Sequence, residues 1–327
     1  MTFNFCRTLL WEMDARLAPA WRQIPRPSPL LIFTFHSLFE SANEVGKGML
    51  DPQQGITRCM FRDFAADFHH HGYRFVSPGE IAAGLDPSCP CLMITFDDGY
   101  ANNQRALPVL EEFAAPAVFC VSANHVSTGK PFWWDVLYRE ARKRAWPEQK
   151  LERRRSAWKR LRTADAEAQL AAEFGTPAFR TVCYLDRPFT PGELREFAHH
   201  PLVHIGNHTW DHAILTNYST HEMAEQIQRA QKSLGELTGR VPLVIAYPNG
   251  NVSMKIERAA REAGLHLGLT VRPGKNRIPG ALRSEPSLRL RRHTLRGDRG
   301  IAEQCAIARS PVSLQAALHA IRSAVTV

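Results

Sequence analysis

Two adjacent acidic residues follow a short, mostly apolar segment. Residues 91–96 are Cys-Leu-Met-Ile-Thr-Phe, and Asp97, Asp98 and Gly99 come directly after them. The apolar run predicts a strand buried on both faces, and parallel α/β folds place their chemistry at the C-terminal ends of strands. Two neighbouring carboxylates repel when both are ionised, and a metal that ligates one of them offsets the charge and leaves the other as a base. The alternative interpretation is an Asp-Asp-Gly surface turn.

A histidine pair follows a second apolar segment. His208 and His212 come shortly after residues 202–205, and side chains at this spacing can direct their rings to one point. Two histidines and one carboxylate are a common ligand set for a divalent metal with open coordination positions. A strand-end acid pair and a strand-end histidine pair in one chain therefore favour a metal site over two unrelated surface features.

These two stretches carry a family resemblance. Thr95-Phe96-Asp97-Asp98-Gly99-Tyr100 and His208-Thr209-Trp210-Asp211-His212 resemble the first two motifs of the polysaccharide deacetylases, the NodB-homology enzymes of carbohydrate esterase family 4. The resemblance runs from about Leu30 to near His293. It implies a deformed (β/α) barrel, usually of seven strands, and metal-dependent removal of an N-acetyl group from a sugar with release of acetate. It also implies the roles of three metal ligands and a general base, namely Asp98, His208 and His212 as ligands and Asp97 as base.

The later family motifs are altered in this chain. The third motif is normally Arg-x-Pro-Tyr, whereas Tyr247-Pro248-Asn249-Gly250 follows Ala246 here, so the Arg and the second aromatic residue are absent. Arg292, past the last predicted strand, is the candidate to steady the base. The fourth motif has no clear counterpart. The candidates for contacts with the substrate or its oxyanion are the backbone near Asn249, Tyr100 and Trp210.

The general acid has two candidates. Most family members supply it from a Leu-x-His motif after the last strand, but Leu290-Arg291-Arg292-His293 is one residue too long. A shift of one residue on a strand turns a side chain to the other face, so His293 is expected to face away from the site. Some relatives have a permuted order in which the first strand carries the histidine, and Phe35-His36 resembles that pattern. His36 is therefore the predicted acid, with His293 as the alternative, since a histidine titrates near neutrality.

The expected cofactor and substrate follow from the same resemblance. Zinc is the first expectation for the divalent ion because imidazole suits it, with cobalt, nickel and manganese as alternatives. The expected substrate is an N-acetylated sugar of a polysaccharide or glycan precursor. Two other activities stay open: a carbon–nitrogen hydrolase acting on a small non-sugar amide, and a non-catalytic carbohydrate-binding relative. An iron oxygenase is disfavoured because its first histidine usually lies two residues from the acid, and Asp98 has no such neighbour.

Charge and composition set the surroundings of such a site. The net charge is +9, from 41 Lys and Arg against 32 Asp and Glu, with dense basic runs at residues 139–162 and 283–299. The first run is best explained by solvated helix faces, and the balance also suits contact with an anionic membrane or a phosphate-bearing substrate. Nucleic acid is disfavoured because no aromatic-interleaved binding motif is present. The seven scattered cysteines, and an N-terminus without an apolar signal core, predict free thiols and a cytoplasmic location.

The remaining sequence predicts the elements that carry these residues. Strand and helix patterns alternate from Leu30 onward, and about seven or eight strand signals with intervening helices predict an α/β fold with a closed or nearly closed parallel barrel. The family resemblance implies that this is a deformed (β/α) barrel of about seven parallel strands with a helical insertion. Residues 1–29 are predicted as a helical lead-in with a Pro-rich link, and residues 30–327 as the deacetylase-like domain. Residues 131–200 break the alternation and predict a helical insertion within that domain. Its Trp133 and Trp134 suit either the face of a sugar ring or the protein core, and the sequence leaves both open.

Overall fold

The computed structural model of the protein describes residues 13–14, 30–277 and 286–310. Most of the predicted N-terminal lead-in and the second of the two predicted C-terminal helices lie outside these residues. Within them, strands and helices alternate along the chain and the strands pair in parallel. The predicted α/β class, a parallel sheet curled into a deformed barrel, is confirmed.

The sheet is built from short parallel strands whose order defines a curled surface. In sequence order the described strands are β1 (Leu30–Phe35), β2 (Arg74–Phe75), β3 (Cys91–Phe96), β4 (Ala117–Val121), β5 (Val203–Asn207), β6 (Val244–Ala246), β7 (Leu267–Leu269), β8 (Ser287–Leu290) and β9 (His293–Thr294). They pair in the order β8-β7-β6-β5-β4-β3-β1-β9, and β2 pairs with the start of β3. Since β8 pairs with β7 and β9 pairs with β1, one continuous stretch of chain links the two edges of the sheet.

Strand register sets which residues are level with one another at the C-terminal edge. β1 and β3 pair from Leu30 opposite Cys91 to Phe35 opposite Phe96. The residues that follow, His36 and Asp97, therefore leave the sheet side by side although they lie far apart in sequence. Parallel pairing with β4 and β5 brings the His208 loop to the same edge.

Alternation along the strands separates a barrel interior from an outer layer. Ile32 and Met93 belong to the interior cluster, whereas Phe33 and Phe35 face outward against helix α2 (Arg58–His70). The phenylalanines of β1 and α2 make edge-to-face contacts with ring centroids about 5 Å apart, which suits aromatic packing. This period of two decides which residues past a strand end point into the barrel.

Helices cover the outer face of the sheet. Besides α2, the described helices are α1 (Ala42–Gly46), α3 (Pro78–Ala83), α4 (Leu107–Glu112), α5 (Ala123–Thr128), α6 (Trp133–Lys143), α7 (Glu148–Trp158), α8 (Thr163–Phe174), α9 (Pro191–His199), α10 (Thr220–Thr238), α11 (Met254–Glu262) and α12 (Ile301–Arg309). The Ser/Thr-x-x-Glu pattern predicts capped helix N-termini at Ser77, Thr190 and Ser219, and a capping box is formed at each, with the Glu three residues later. No helix of the described residues is long and apolar enough to cross a membrane.

The helical segment between β4 and β5 packs its own core beside the sheet. Helices α6 to α9 lie here, and Trp133, Trp134 and Trp158 join one buried cluster with Phe132 and Tyr100. The segment also contacts the loop after β3, since Phe189 N–H donates a hydrogen bond to the carbonyl of Gly99 at 3.1 Å. The predicted insertion therefore packs against the C-terminal edge of the sheet, next to the turn that carries the acid pair.

Candidate metal centre and active site

The acid pair sits on a turn that only glycine can complete. Asp98 and Gly99 have φ values of 77° and 91°. A Cβ added at Gly99 would lie 2.9 Å from Val121 Cγ1, so any larger residue would clash with β4 as well as strain the backbone. The Asp98 carbonyl accepts a hydrogen bond from Ser122 N at 3.1 Å. The turn thus sends Asp97 into the barrel and Asp98 toward the next strand end.

The histidine loop is held by a hydrogen bond to β4 and by a hydrogen bond within the loop. His208 N–H donates to the carbonyl of Val121 at 3.1 Å, and Ala213 N–H donates to Thr209 Oγ1 at 2.7 Å. Thr209 and His212 have positive φ values of 63° and 51°, a region that non-glycine residues rarely occupy. Such strain persists where the surrounding structure holds it, which is common at functional sites.

Asp98, His208 and His212 converge on one point. Asp98 Oδ1 lies 3.3 Å from the Nε2 atoms of both histidines. The three candidate ligand atoms all lie within 4.8 Å of one another, and we call these three residues the metal group. Asp98 is 1% exposed and His208 2%, whereas the His212 side chain is 14% exposed, so solvent reaches the group on the His212 side. One oxygen and two nitrogens at this spacing are a donor set for a divalent ion.

Two further observations test whether this group suits a metal. His208 Nδ1 donates a 2.7 Å hydrogen bond to the carbonyl of Ala246, which leaves Nε2 as the free ligand nitrogen. Asp98 Oδ2 is buried and has no hydrogen-bond partner among the described residues. A buried carboxylate oxygen without a partner is costly unless a cation or water meets it. The residues present therefore fit a divalent ion.

Asp97 is held by a buried arginine from the other end of the chain. Arg292 Nη1 and Nη2 donate to its two carboxylate oxygens at 2.8 and 2.7 Å, a bidentate pair. The same guanidinium donates to Thr95 Oγ1 at 3.1 Å and to the carbonyl of Thr270 at 2.9 Å. Arg292 is 0% exposed and Asp97 3%. Arg292 thus occupies the place beside the base that the altered third motif leaves without an Arg.

The electrostatics differ between the two acids and their histidines. Burial raises the pKa of Asp97, but the positive charge of Arg292 outweighs it and leaves the pKa below its ordinary value. Burial likewise raises the pKa of Asp98, and hydrogen bonds with His208 and His212 overcome it and hold the pKa well below the ordinary range. Both carboxyls are therefore ionised at neutral pH, which suits one as a base and the other as a ligand.

His36 stands at the end of β1, level with Asp97. Its Nδ1 lies 2.9 Å from Gln54 Oε1, and Gln54 Nε2 donates to the carbonyl of Thr34 at 2.7 Å. Because the Thr34 carbonyl accepts the Gln54 amide group, Oε1 is the acceptor and His36 Nδ1 carries the hydrogen. Nε2 is then the ring atom that can gain and release a second proton. A protonated His36 also lowers the pKa of Asp97 and of Asp98, so it lies in their electrostatic range.

His293 lies on the opposite face of the sheet. Its ring stacks on Phe33 with centroids 5.3 Å apart, and Phe33 belongs to the outer layer. Burial lowers the pKa of His293 to about 4. Arg292, one residue earlier, points into the barrel, which is the alternation expected of a strand. The geometry thus separates the two histidine candidates for the acid: His36 is at the acid pair and His293 is in the outer core.

The three predicted substrate contacts occupy different environments. Asn249 is exposed, has φ 58°, and follows β6 at the edge where Ala246 meets His208. Tyr100 is 0% exposed, and its hydroxyl donates to Asp135 Oδ2 at 2.8 Å, so it lies beneath the surface rather than at it. Trp210 packs on the outer core under the guanidinium of Arg229, at 3.9 Å from its ring centroid. Of the three, Asn249 alone is exposed beside the metal group.

The paired tryptophans, left open by the sequence, are core residues. Trp133 is 5% exposed and Trp134 is 7% exposed. Trp134 also contacts the metal group, because its ring centroid lies 4.4 Å from that of His212. A sugar-flanking role for these two rings is therefore not what the structure shows.

The comparison with known families decides to which family the chain belongs. The sequence model of the polysaccharide deacetylases matches residues 84–268, more than half of the chain. The chain belongs to the polysaccharide deacetylase family. The match contains Asp97, Asp98 and both histidines of the metal group, but His36 and Arg292 lie outside it. The places of His36 and Arg292 in this deacetylase-family site therefore rest on the geometry given above.

Curated relatives agree with that membership. YxkH of Bacillus subtilis, whose name assigns it to the polysaccharide deacetylases, is 22% identical over 260 residues, which cover 78% of this chain and 69% of YxkH. The peptidoglycan-N-acetylglucosamine deacetylase PgdA of Listeria monocytogenes is 39% identical over 63 residues, but these are 19% of this chain and 13% of PgdA.

Solved structures share the fold at low sequence identity. A Streptococcus pyogenes deacetylase, PplD, in complex with acetate aligns with a TM-score of 0.56 and 17% identity over 85% of this chain and 97% of its own. IcaB from Ammonifex degensii aligns with a TM-score of 0.57 and 19% identity over 87% of this chain and 98% of its own. At these identities the likeness establishes the fold of this deacetylase-family chain.

Several contributors to the site were not predicted from sequence. Gln54 orients His36, Thr95 and the Thr270 carbonyl hold Arg292, and the Ala246 carbonyl orients His208. The role of Thr95 had a sequence signal, because Thr95 is a polar residue in an apolar strand. It lies two residues before Asp97 and therefore on the same face of the strand as Asp97. Gln54 sits in a polar loop and gave none, because only the folded chain brings it under β1.

Proposed function

We propose that the protein is a metal-dependent N-deacetylase that hydrolyses the acetamido group of an N-acetylated sugar. The observation that supports this most strongly is the convergence of Asp98, His208 and His212 beside the arginine-paired Asp97. When bound, a divalent ion at these three residues would polarise the substrate carbonyl and acidify the attacking water. Zinc is the proposed ion, with cobalt, nickel and manganese as alternatives that suit the same donor set.

Asp97 is the proposed general base. Its carboxylate is ionised at neutral pH and oriented by Arg292, and it lies one residue from the ligand Asp98. It takes a proton from the water whose oxygen forms the new bond to the acetyl carbon. The exposed backbone at Asn249 is the proposed N–H donor to the developing oxyanion.

His36 is the proposed general acid. Its Nδ1–H is fixed on Gln54, so the proton it delivers comes from Nε2. As the carbon–nitrogen bond breaks, this proton goes to the departing nitrogen, and the products are acetate and a free amine. His293 remains the alternative from sequence, but its stacking on Phe33 places it on the other side of the sheet.

The proposed substrate is an N-acetylhexosamine unit of a polysaccharide or glycan precursor. Family membership supports an acetylated carbohydrate as the substrate. The solved structure of the Streptococcus pyogenes deacetylase PplD contains acetate, which is the product that such a substrate would release. The carrier is tested by measuring acetate and free amine from nucleotide-, lipid- and polymer-linked N-acetylhexosamines and from small non-sugar amides. Turnover of the non-sugar amides alone would overturn the sugar assignment.

The metal and the base are separated by one experiment. Chelator-treated protein should release no acetate until a divalent ion is restored. Asp97→Asn should retain the bound ion and lose about 10²–10⁴ in rate, because a base is removed and no ligand is changed. His208→Ala and His212→Ala should instead lose the ion. If both Ala variants keep wild-type metal content, or if Asp97→Asn turns over within a few-fold of wild type, the corresponding role is wrong.

The acid assignment has a matched pair of variants. His36→Ala should bind metal and lose most activity, while His293→Ala should keep activity in whatever fraction remains folded. Metal content and circular dichroism of both variants control for misfolding. A dead His293 variant beside an active His36 variant would reverse the assignment.

A further inference from the structure

The two candidate metal-binding histidines are held in place by different means. His208 donates through Nδ1 to the Ala246 carbonyl. His212 Nδ1 is buried and has no hydrogen-bond partner within the described part of the chain. Histidine ligands of metals are ordinarily oriented by a hydrogen bond from the ring nitrogen that does not bind the metal. On the Nδ1 side, something other than a hydrogen bond must therefore fix the His212 ring, whose Nε2 lies 3.3 Å from Asp98 Oδ1.

Aromatic rings from the insertion surround His212. The Trp134 ring centroid lies 4.4 Å from that of His212, and Phe132 approaches it edge-on at 6.3 Å. Phe132 stacks on Trp134 at 4.7 Å and on His125 at 4.2 Å, with interplanar angles of 21° and 18°. His212 is thus packed against the end of a buried stack of three rings, which restricts its rotation.

Trp134 is also tied to the loop that carries Asp98. Its indole Nε1–H donates to the Tyr100 hydroxyl at 3.0 Å, and that hydroxyl donates to Asp135 Oδ2 at 2.8 Å. Tyr100 comes two residues after Asp98. One side chain therefore contacts a candidate ligand on the β5 loop and a residue adjoining a candidate ligand on the β3 loop.

We propose that Trp134 is a positioning residue that sets the distance and ring orientation between His212 and Asp98. The role rests on the proposed metal-dependent function, since it concerns the geometry of the ligands. Both Asp98 and His212 have positive φ, at 77° and 51°, and strained positions persist only where packing holds them. Trp134 packs on His212 directly and is connected to the turn of Asp98 through Tyr100, from a helix that contributes no ligand itself.

The neighbouring tryptophan provides a matched control. Trp133 lies on the same helix and is 5% exposed against 7% for Trp134. Its ring packs on Trp158 with centroids 6.0 Å apart and edge-on against Trp134 at 5.5 Å, but it has no ring contact with His212 among the described residues. Trp133→Leu and Trp134→Leu each delete a buried indole, and both should lower the thermal stability of the metal-free protein. Only Trp134→Leu removes a ring that touches a candidate ligand.

The experiment compares metal affinity in these variants. Metal-free proteins are titrated with Zn²⁺ against a chromophoric chelator, and with Co²⁺ to record the visible ligand-field spectrum. Trp134→Leu should bind about 10–100-fold more weakly, the usual cost of losing an outer-shell support, and shift the Co²⁺ spectrum. Trp133→Leu should keep the wild-type affinity and spectrum. Trp134→Phe should restore most of the affinity, because a ring is again present beside His212.

The outcomes distinguish this role from the proposed function. Wild-type protein that binds neither ion would overturn both. Wild-type binding with equal losses in the two Leu variants would overturn the positioning role alone and leave Trp134 as a core residue. If a Leu variant does not fold, Trp134→Met against Trp133→Met, which keep more side-chain volume but no ring, carries the comparison through the Co²⁺ spectrum. Identical spectra in that pair would also overturn the role.

Discussion

The barrel side and the insertion side of the site hold their residues by different interactions. On the barrel side, Asp97 is fixed by a buried ion pair with Arg292 and His208 by a hydrogen bond to Ala246. On the insertion side, His212 is fixed by ring packing against Trp134, with Phe132 at its edge. Directional hydrogen bonds orient Asp97 and His208, whereas van der Waals packing of aromatic rings orients His212.

This difference follows from what each side is made of. Strand ends present backbone carbonyls and inward side chains at regular spacing, so hydrogen bonds can be placed with little freedom. The insertion is helical, its backbone groups are largely used within the helices, and it can offer mainly side-chain volume. The barrel side should therefore respond to loss of charge or polarity, and the insertion side to loss of volume.

The largest expected effect is on the barrel side. Arg292→Met should lower the free energy of unfolding by about 3–5 kcal/mol, because it leaves the buried Asp97 carboxylate without its counter-ion. Adding Asp97→Asn to that variant should recover part of the loss, since no charge is then left unpaired. Denaturant unfolding of the two single variants and the double variant measures the coupling. Strictly additive losses would show that the pair is not coupled.

An intermediate effect is expected at His125, inside the ring stack. Burial holds the pKa of His125 well below its ordinary value, and neither ring nitrogen has a hydrogen-bond partner in the described residues. The folded state keeps the ring neutral while the unfolded chain takes a proton below about pH 6.5, so this group costs stability as pH falls. His125→Leu should therefore gain about 1–2 kcal/mol relative to wild type between pH 8 and pH 5.

The control for His125 is an exposed histidine. His221→Leu, on α10, changes a side chain that is 84% exposed and should show no such pH-dependent gain. Thermal unfolding across the pH range compares the two variants. If the stability of His125→Leu changed with pH as that of wild type does from pH 8 to pH 5, the His125 ring would have to accept a proton in the folded protein as readily as in the unfolded chain.

The smallest expected effect is at the rim where the insertion meets the histidine loop. Lys130 Nζ lies 2.8 Å from Glu167 Oε1 and 3.6 Å from Asp211 Oδ1, and all three side chains are partly exposed. Lys130→Met should cost only about 0.2–1 kcal/mol, and the cost should shrink in 1 M salt as exposed charges are screened. Lys143→Met, on helix α6 of the insertion, removes a lysine that is 65% exposed and paired with Glu140 rather than with the histidine loop, and is the control. A loss of several kcal/mol that salt does not change would show that charge, rather than ring packing, holds this side.

Local patterns were sufficient for much of the fold. The apolar runs at Leu30–Phe35 and Ala117–Val121 predict strands with the bounds that the structure has, because short continuous apolar runs between turn signals are typical of strands buried on both faces. The capping boxes at Ser77, Thr190 and Ser219 formed as expected, since each depends on residues only three apart. The sequence patterns at residues 241–246 and 265–271 predict longer strands than the structure has, which are Val244–Ala246 and Leu267–Leu269.

The chemistry of the site divides in the same way. Asp97, Asp98, His208 and His212 were recognisable from sequence because each motif is compact and its residue types suit few other roles. Arg292 and His36 were candidates only, because each lies at a different strand end from the acid pair. No local sequence pattern shows which strand ends are neighbours in the sheet. Register decided both: β1 lies beside β3, and the stretch from β8 to β9 links the sheet edges and turns Arg292 inward and His293 outward.

The sequence by itself therefore determined the family, the strand-borne motifs and the alternation that orients a strand. Tertiary structure alone decided which distant groups support them. Gln54 under His36, Arg292 across from Asp97, and Trp134 against His212 are separated from their partners by 18, 195 and 78 positions, and no local propensity encodes such pairs. The physical reason is that these contacts depend on the closure of the sheet and the packing of the insertion, which arise only when the whole chain has folded.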